Sequence, residues 1–143
     1  MTPEQYDLDR FLHAQDARGT YAAAVAELRA GRKTGHWMWF VFPQLDGLGV
    51  SETSRRYAIS SLDEARAYVA HPVLGARLEE SARALAEVEG KTATEILGSV
   101  DAMKLRSSMT LFARAAPEQP LFRQVLERYF DGPDHATEAR LGR

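Results

Sequence analysis

The sequence contains no cysteine among its 143 residues. Without thiols there can be no disulfide framework, no thiolate zinc site and no cysteine nucleophile. Chains of this composition are common in reducing compartments, where disulfides do not persist. We therefore predict a cytoplasmic location.

The chain also lacks a charge excess and a long apolar run. Its formal net charge of -2 at pH 7 gives no general attraction to nucleic-acid phosphates or to an anionic membrane surface. No apolar segment reaches the roughly 20 residues that span a bilayer. The acidic, polar segment MTPEQYDLDR does not have the pattern of an export signal. We therefore expect no nucleic-acid partner and no membrane partner.

Familiar catalytic spacings are missing as well. The four histidines show none of the HExxH or HxH spacings that place two ligands on one metal; they are His13, His36, His71 and His135. Ser107 and Ser108 lack the flanking glycines of a nucleophile elbow. The sequence therefore predicts no metal site, no hydrolase triad and no cofactor.

What the sequence does contain is helical periodicity in a chain of ordinary globular composition, 45% hydrophobic and 27% charged. We predict a single domain over residues 1–143. Its predicted fold is all-α, a compact orthogonal arrangement of about seven or eight helices. The run MWFVF is rich in strand formers, but no second strand-like run exists for it to pair with. We interpret it as a short buried helix or turn.

Capping residues predict where the helices begin. The predicted N-caps are Thr20, Ser61, Thr92, Ser99 and Asp134. Ser61 and Thr92 are each followed three residues later by a glutamate, which is the spacing of a capping box. Acidic residues are expected in the first turns of the first helix, where the helix dipole favours them; these are Glu4, Asp7 and Asp9. Residues 44–54 are predicted to form a loop.

The central segment, residues 31–51 (GRKTGHWMWFVFPQLDGLGVS), contains both tryptophans. We expect the run HWMWFVF to be buried, with at least one of Trp37 and Trp39 mostly buried. Lys33 precedes the run and Gln44 follows it. Basic side chains, flat aromatic faces and a carboxamide suit a planar, anionic small molecule. The same residues could instead anchor a loop.

A second informative segment lies on the predicted helix over residues 100–115. Apolar residues at helical spacing form a core stripe, namely Ala102, Leu105, Met109 and Phe112. Asp101, Lys104 and Ser108 form a polar strip with apolar residues on both margins, which predicts partial burial. The strip is either a helix-surface ion pair or the wall of a pocket.

The candidate site combines these two segments. The catalytic candidates are Asp101 and His36, with Asp101 as a general base or as the partner of a ribose hydroxyl. The ligand-binding candidates are Lys33, Trp39, Gln44, Lys104 and Ser108. In this interpretation the lysines neutralise phosphate and the aromatic ring stacks on a base.

Three segments, GHWMWFVFPQ, SLDEARAYVAHPVLGARL and DAMKLRSSMTLF, resemble the signatures of an uncharacterised family of short bacterial proteins sometimes labelled calpastatin. The resemblance extends over essentially the whole chain and implies a single, largely all-α domain without an assigned activity. A calpain inhibitor should be a disordered chain of low hydrophobicity, whereas this sequence predicts a core. A fainter similarity links the aromatic segment and the later polar strip to NADAR-type proteins, which are associated with ADP-ribose chemistry.

Two functions from different classes are consistent with the sequence. The first is binding of a small phosphorylated or nucleotide-like metabolite, including ADP-ribose-related compounds, in a pocket with aromatic and basic walls. Hydrolysis of an N-glycosidic or related bond is an extension of that function. The alternative is a non-enzymatic interaction module, or a helical domain that associates with a second copy of itself. The sequence leaves open whether the protein is an enzyme, and whether it is a monomer or a homodimer.

Overall fold

The computed structural model describes residues 6–142, which form ten α-helices and no strand. The helices are α1 (Asp9–Asp16), α2 (Thr20–Ala30), α3 (Met38–Val41), α4 (Glu52–Arg56), α5 (Leu62–Ala70), α6 (Leu74–Glu87), α7 (Ala93–Leu97), α8 (Ser99–Ala115), α9 (Leu121–Tyr129) and α10 (His135–Leu141). A 3-10 turn, Ala17–Gly19, joins α1 to α2. One isolated parallel bridge pairs Leu45 with Ile59.

The predicted all-α class is confirmed. Seven of these helices have seven or more residues, and α3, α4 and α7 have four or five. The prediction of about seven or eight helices matches the longer ones. Helix α4 falls partly within residues 44–54, which were predicted as a loop. That prediction is wrong from Glu52 onward, because the hydroxyl of Ser51 accepts the Ser54 N–H and starts a helical turn.

Helix α8 is the centre of the packing, with α5, α7, α9 and α10 all in contact with it. Its predicted core stripe is buried, namely Ala102, Leu105, Met109 and Phe112. Helix α6 packs against α2, α5 and α9. The apolar stripe of α6 is buried in the same way, at Leu74, Leu78, Ala82 and Leu85. Because α8 is held on several sides, its backbone has a fixed position relative to these helices.

The central aromatic segment forms the single turn α3, as predicted. Trp37 is only 1% exposed, which confirms that one tryptophan is mostly buried. Burial of the whole run HWMWFVF is not observed, since His36 is exposed and Trp39 and Phe40 are half-buried. A single helical turn can face the core on one side only, so the other side remains at the surface.

The helix caps confirm several sequence predictions. The hydroxyl of Thr92 accepts the Glu95 N–H at 3.1 Å, and the Glu95 carboxylate accepts the Thr92 N–H at 2.8 Å, which completes a capping box. Asp134 and Ser61 cap α10 and α5 through their side chains.

Two predicted N-caps are wrong, because a glycine takes the cap position one residue earlier. Thr20 is the first residue of α2 and Gly19 is its cap, with φ of +68°. Ser99 is likewise the first residue of α8, and Gly98 is its cap with φ of +87°. Glycine reaches these left-handed conformations without steric cost, so the chain turns into the helix before the hydroxyl residue.

Glu64 does not complete the predicted capping box of α5. Its carboxylate accepts the N–H and the hydroxyl of Ser60, each at 2.7 Å, and forms an ion pair with Arg10 at 3.0 Å. Burial explains the difference, since the Glu64 side chain is 3% exposed and needs a charged partner.

Of the acidic residues predicted in the first turns of α1, only Asp9 is observed there. Asp7 precedes the helix in a left-handed conformation with φ of +51°. Glu4 lies outside the described residues.

Candidate functional site

The loop after α2 is held by the carboxylate of Glu27. One oxygen of this carboxylate accepts three hydrogen bonds, from the N–H groups of Thr34 and Gly35 at 2.8 and 2.9 Å and from the Trp37 indole at 2.9 Å. The three donors lie on consecutive parts of one loop, so this side chain holds the loop to α2. The loop carries Lys33, whose own N–H donates to the Ile96 carbonyl of α7 at 2.8 Å, so α2 and α7 together set its position.

The same hydrogen bonds change the pKa of Glu27. Burial alone would raise the pKa of this carboxyl, but the hydrogen bonds from Gly35, Thr34 and Trp37 outweigh burial and lower the pKa to about 2. A folded-state pKa below the usual value of 4.5 means that the ionised carboxylate stabilises the fold above pH 4.5. That stabilisation is lost as the pH falls from about 4.5 toward 2.

We therefore expect the free energy of unfolding of the Glu27→Gln variant to fall less on acidification than that of the unmodified protein. After allowance for solvent screening, the contribution of the ionised carboxylate is about 1 to 2 kcal/mol. Urea denaturation of both proteins between pH 6 and pH 3 measures it. Glu89→Gln is the control, because Glu89 is exposed and has no partner among the described residues. If Glu27→Gln and the control lose stability equally on acidification, Glu27 does not have this role.

Lys33 and Lys104 meet at the carboxylate of Asp101. The Lys33 ammonium lies 2.8 Å from Oδ2 of Asp101, and the Lys104 ammonium lies 3.0 Å from Oδ1. The side chain of Lys33 is 9% exposed, that of Lys104 is 18% exposed and that of Asp101 is 17% exposed. The predicted partial burial of the polar strip is thus observed, and the strip lies beside the central segment. We call these three residues the lysine–aspartate cluster.

Each lysine of the cluster also lies over a tryptophan ring. The Lys33 ammonium is 5.1 Å from the ring centroid of Trp37, and the Lys104 ammonium is 3.9 Å from that of Trp39. Both distances are within the range of a cation–π contact. Trp37 is buried and Trp39 is half-buried, so Trp39 is the ring with surface to offer a ligand.

The lysines also determine the ionisation of Asp101. Burial raises the pKa of its carboxyl, but the hydrogen bonds from Lys33 and Lys104 outweigh burial, and the pKa is lowered overall. A carboxylate of low pKa is a weak general base at neutral pH. This arrangement suits an anchor that holds two ammonium groups, and a general-base role for Asp101 stays a prediction.

Several polar groups around Lys104 have unused hydrogen-bonding capacity. The Ser108 hydroxyl lies one helical turn beyond Lys104, is fully buried and has no hydrogen-bond partner in the described part of the chain. The side chains of Trp39 and Gln44 likewise make no hydrogen bond to residues 6–142. Lys104 uses one of its three N–H donors, on Asp101. Of these groups only the Ser108 hydroxyl is fully buried, where polar groups are usually satisfied. Trp39, Gln44 and Lys104 are half-buried, so water or a ligand can use their free donors.

Trp39 and Gln44 line a small cavity together with the loop over residues 45–49. Its volume of about 10 Å³ is about the space that one water molecule needs. A nucleotide-sized molecule cannot enter it. Such a ligand would have to lie on the exposed side of Trp39 and Lys104.

The structure does not bring His36 into the cluster. His36 is exposed, and within residues 6–142 no hydrogen bond, ion pair or ring contact joins it to Asp101, Lys33 or Lys104. A catalytic role for His36 therefore stays a prediction, and no catalytic partner for it lies among the described residues.

Among the described residues there is also no group of three or more histidines and carboxylates that could hold a metal. None of the described helices is both long and apolar enough to cross a membrane.

Sequence reasoning missed Glu27, which holds the loop that carries Lys33. Its three donors are seven to ten residues further along the chain, which is not the spacing of any local capping motif. The only signal in the sequence was indirect. The helix dipole disfavours negative charge in the last turn of a helix. A glutamate at that position therefore indicates that its carboxylate has a partner elsewhere.

Comparison with known proteins identifies two matches. The model of a family described as "Protein of unknown function (DUF1810)" matches residues 5–141. The crystal structure of the conserved hypothetical protein Rv1873 from Mycobacterium tuberculosis is 51% identical in sequence, with a TM-score of 0.94. That similarity covers 97% of this chain and 99% of the other. A comparison with curated proteins found no match. Neither match carries a calpastatin or NADAR description.

Proposed function

Because this chain belongs to the DUF1810 family, whose description assigns no function, we propose its function from the lysine–aspartate cluster. The protein binds a small anionic metabolite with a planar ring, of the phosphorylated or nucleotide-like class, which includes ADP-ribose-related compounds. The ligand lies on the exposed side of Trp39 and Lys104. The absence of cysteine supports a cytoplasmic location for this binding.

The observation that carries the proposal is the position of Lys104, which lies 3.9 Å from the Trp39 ring centroid and 3.0 Å from Asp101. Two lysines share one carboxylate, so the cluster has a surplus of one positive charge. A half-buried aromatic face next to a surplus ammonium group matches the two ends of a nucleotide, since the ring stacks and the ammonium binds phosphate.

The residues of the lysine–aspartate cluster and their neighbours have separate roles in this proposal, and His36 has none. Lys104 donates its free N–H groups to the phosphate, and Lys33 adds charge from a position that the loop fixes. Because Lys104 covers one face of the Trp39 ring, the base or another planar group stacks on the other face. Asp101 keeps lone pairs free beside the two lysines, with which it can accept a ribose hydroxyl. Gln44, which is half-buried beside Trp39, supplies a further hydrogen bond. Ser108 is fully buried, so its hydroxyl does not contact a ligand on this surface.

Thermal denaturation with a panel of nucleotides and ADP-ribose tests this proposal. A true ligand at about 100 times its dissociation constant adds about 2.7 kcal/mol to the free energy of unfolding and raises the Tm. Lys104→Met is expected to abolish that rise. The control is Arg83→Met, which removes the same charge from an exposed residue of α6 that has no partner in the described part of the chain.

The same samples separate binding from hydrolysis. Ligand recovered unchanged after incubation supports binding alone, in keeping with the low pKa of Asp101. Release of a free base and a phosphorylated sugar, abolished by Asp101→Asn, would add hydrolysis of the N-glycosidic bond to the function. The proposal is wrong if no member of the panel raises the Tm, or if Lys104→Met and Arg83→Met respond alike.

A second candidate function, docking of a protein partner or a second copy, is favoured by exposed apolar side chains near the cluster. Val100 and Met103 are 66% and 71% exposed in the first turns of α8, beside Asp101 and Lys104. Val50, which is 85% exposed, follows Gly49, whose backbone lies close to Trp39. Exposed apolar side chains in one region are typical of interaction surfaces. A concentration-dependent mass in sedimentation, without a ligand-induced rise in Tm, would favour this second function.

A further inference from the structure

A cavity of about 400 Å³ lies where α8, α9 and α10 meet the loop before α10. This volume is within the range of about 300 to 1,000 Å³ that small-molecule pockets occupy. Its apolar surface comes from Ala113, Leu126 and Pro133. None of its lining residues belongs to the lysine–aspartate cluster, so it is a separate site.

The loop that forms one wall of this cavity is fixed to α8 by two hydrogen bonds. The Arg106 side chain donates to the Gly132 carbonyl at 2.9 Å, and the Thr110 hydroxyl accepts the Asp134 N–H at 2.8 Å. Thr110 is 1% exposed and also donates to the Arg106 carbonyl. With its loop held in this way, the cavity is preformed and a ligand does not have to order it.

Charged side chains of both signs line the cavity without pairing with each other. Arg114 and Glu138 are half-buried, and neither side chain makes a hydrogen bond or an ion pair with residues 6–142. Glu127 and Asp131 are also unpaired in that part of the chain. Arg123 donates only to the Pro117 carbonyl. A half-buried charge without a partner is unfavourable, and a ligand with opposite charges would supply both partners at once.

We propose that this cavity binds a small zwitterion with an apolar body, the chemistry of a free amino acid with a large apolar side chain. The planar guanidinium of Arg114 binds the carboxylate, because its paired N–H groups match the two carboxylate oxygens. Glu138, with Glu127 and Asp131 nearby, accepts the N–H groups of the ammonium. The apolar body packs on the surface of Leu126 and its apolar neighbours. This proposal does not depend on the function proposed for the lysine–aspartate cluster.

Isothermal titration of the full chain with three matched probes tests the proposal. The probes are L-phenylalanine, 3-phenylpropanoate, which lacks the ammonium, and 2-phenylethylamine, which lacks the carboxylate. L-phenylalanine is expected to bind, and each of the other two probes at least about tenfold more weakly, because each loses one charge-assisted contact. Equal affinity for L-phenylalanine and either analogue overturns the proposal, as does the absence of saturable L-phenylalanine binding up to about 10 mM.

Substitutions then locate the binding to this cavity. Arg114→Gln and Glu138→Gln are each expected to weaken L-phenylalanine binding about tenfold. Arg83→Gln, on the exposed side of α6, is expected to leave it unchanged. Unaltered binding in both cavity variants overturns the proposal. Because the probe comparison uses the unmodified protein, it decides the question even if a variant fails to fold.

Discussion

Replacing Trp37 with alanine is expected to lower the free energy of unfolding by about 3 to 5 kcal/mol, the usual cost of removing a large buried aromatic side chain. Trp37 is 1% exposed, and its ring lies 6.4 Å from that of Phe42 in the core. Its indole N–H donates to Glu27 at 2.9 Å. The substitution therefore leaves a cavity and also removes one of the donors that fix the Glu27 loop.

Trp39→Ala is the matched control, because it removes the same side chain from a half-buried position two residues away. Its cost should be clearly smaller, since less apolar surface leaves the core. Urea denaturation followed by circular dichroism measures both values. Total stabilities of small domains are about 5 to 15 kcal/mol, so the Trp37 variant can be largely unfolded at physiological temperature. Equal costs for the two variants would show that Trp37 is no more structural than Trp39.

The fold class was predictable because the helical period of the core side chains is visible in the sequence. Residues four apart along α6 and α8, such as Leu74 and Leu78 or Leu105 and Met109, are buried as the spacing predicted. Helix α4 was not predictable in this way, because a single turn has no period to detect. The caps at Gly19 and Gly98 were missed for a different reason. Either glycine or the hydroxyl residue after it can start a helix, and local sequence does not decide between them.

The candidate site was predictable in its residue types and not in its contacts. Aromatic and basic side chains in the central segment, and a polar strip on α8, suggested Lys33, Trp39, Asp101 and Lys104 as candidates, but the sequence left open whether the two segments meet. Their contact depends on how the loop after α2 docks beside α8. Glu27 holds this loop through hydrogen bonds of nonlocal spacing, and the Lys33 N–H is bonded to the Ile96 carbonyl. Long-range packing of this kind leaves no periodic signal. The sequence predicted a pocket for a nucleotide-like ligand, whereas the cavity beside Trp39 has a volume of only about 10 Å³. Pocket size also depends on long-range packing, which the sequence pattern does not show.

Asp101→Asn is expected to destabilise the protein more than Lys104→Met does, although both remove one charge from the cluster. Loss of the Asp101 carboxylate leaves two ammonium groups, 9% and 18% exposed, without a counter-charge. Breaking a fully buried pair costs about 3 to 5 kcal/mol, and partial exposure reduces this to about 2 to 3 kcal/mol. Loss of Lys104 leaves the ion pair between Lys33 and Asp101 intact, so its cost should stay below about 1 kcal/mol.

Urea denaturation of the two variants at low and high salt tests this asymmetry. Salt screens the repulsion between Lys33 and Lys104, so the cost of Asp101→Asn should decrease at about 1 M salt, while that of Lys104→Met should change little. Equal and small costs would mean that the cluster is solvated and has no structural role. Equal and large costs would make Lys104 a structural residue. The predicted asymmetry has a direct use, because a stable Lys104→Met variant that no longer binds ligand has lost a ligand contact rather than its fold.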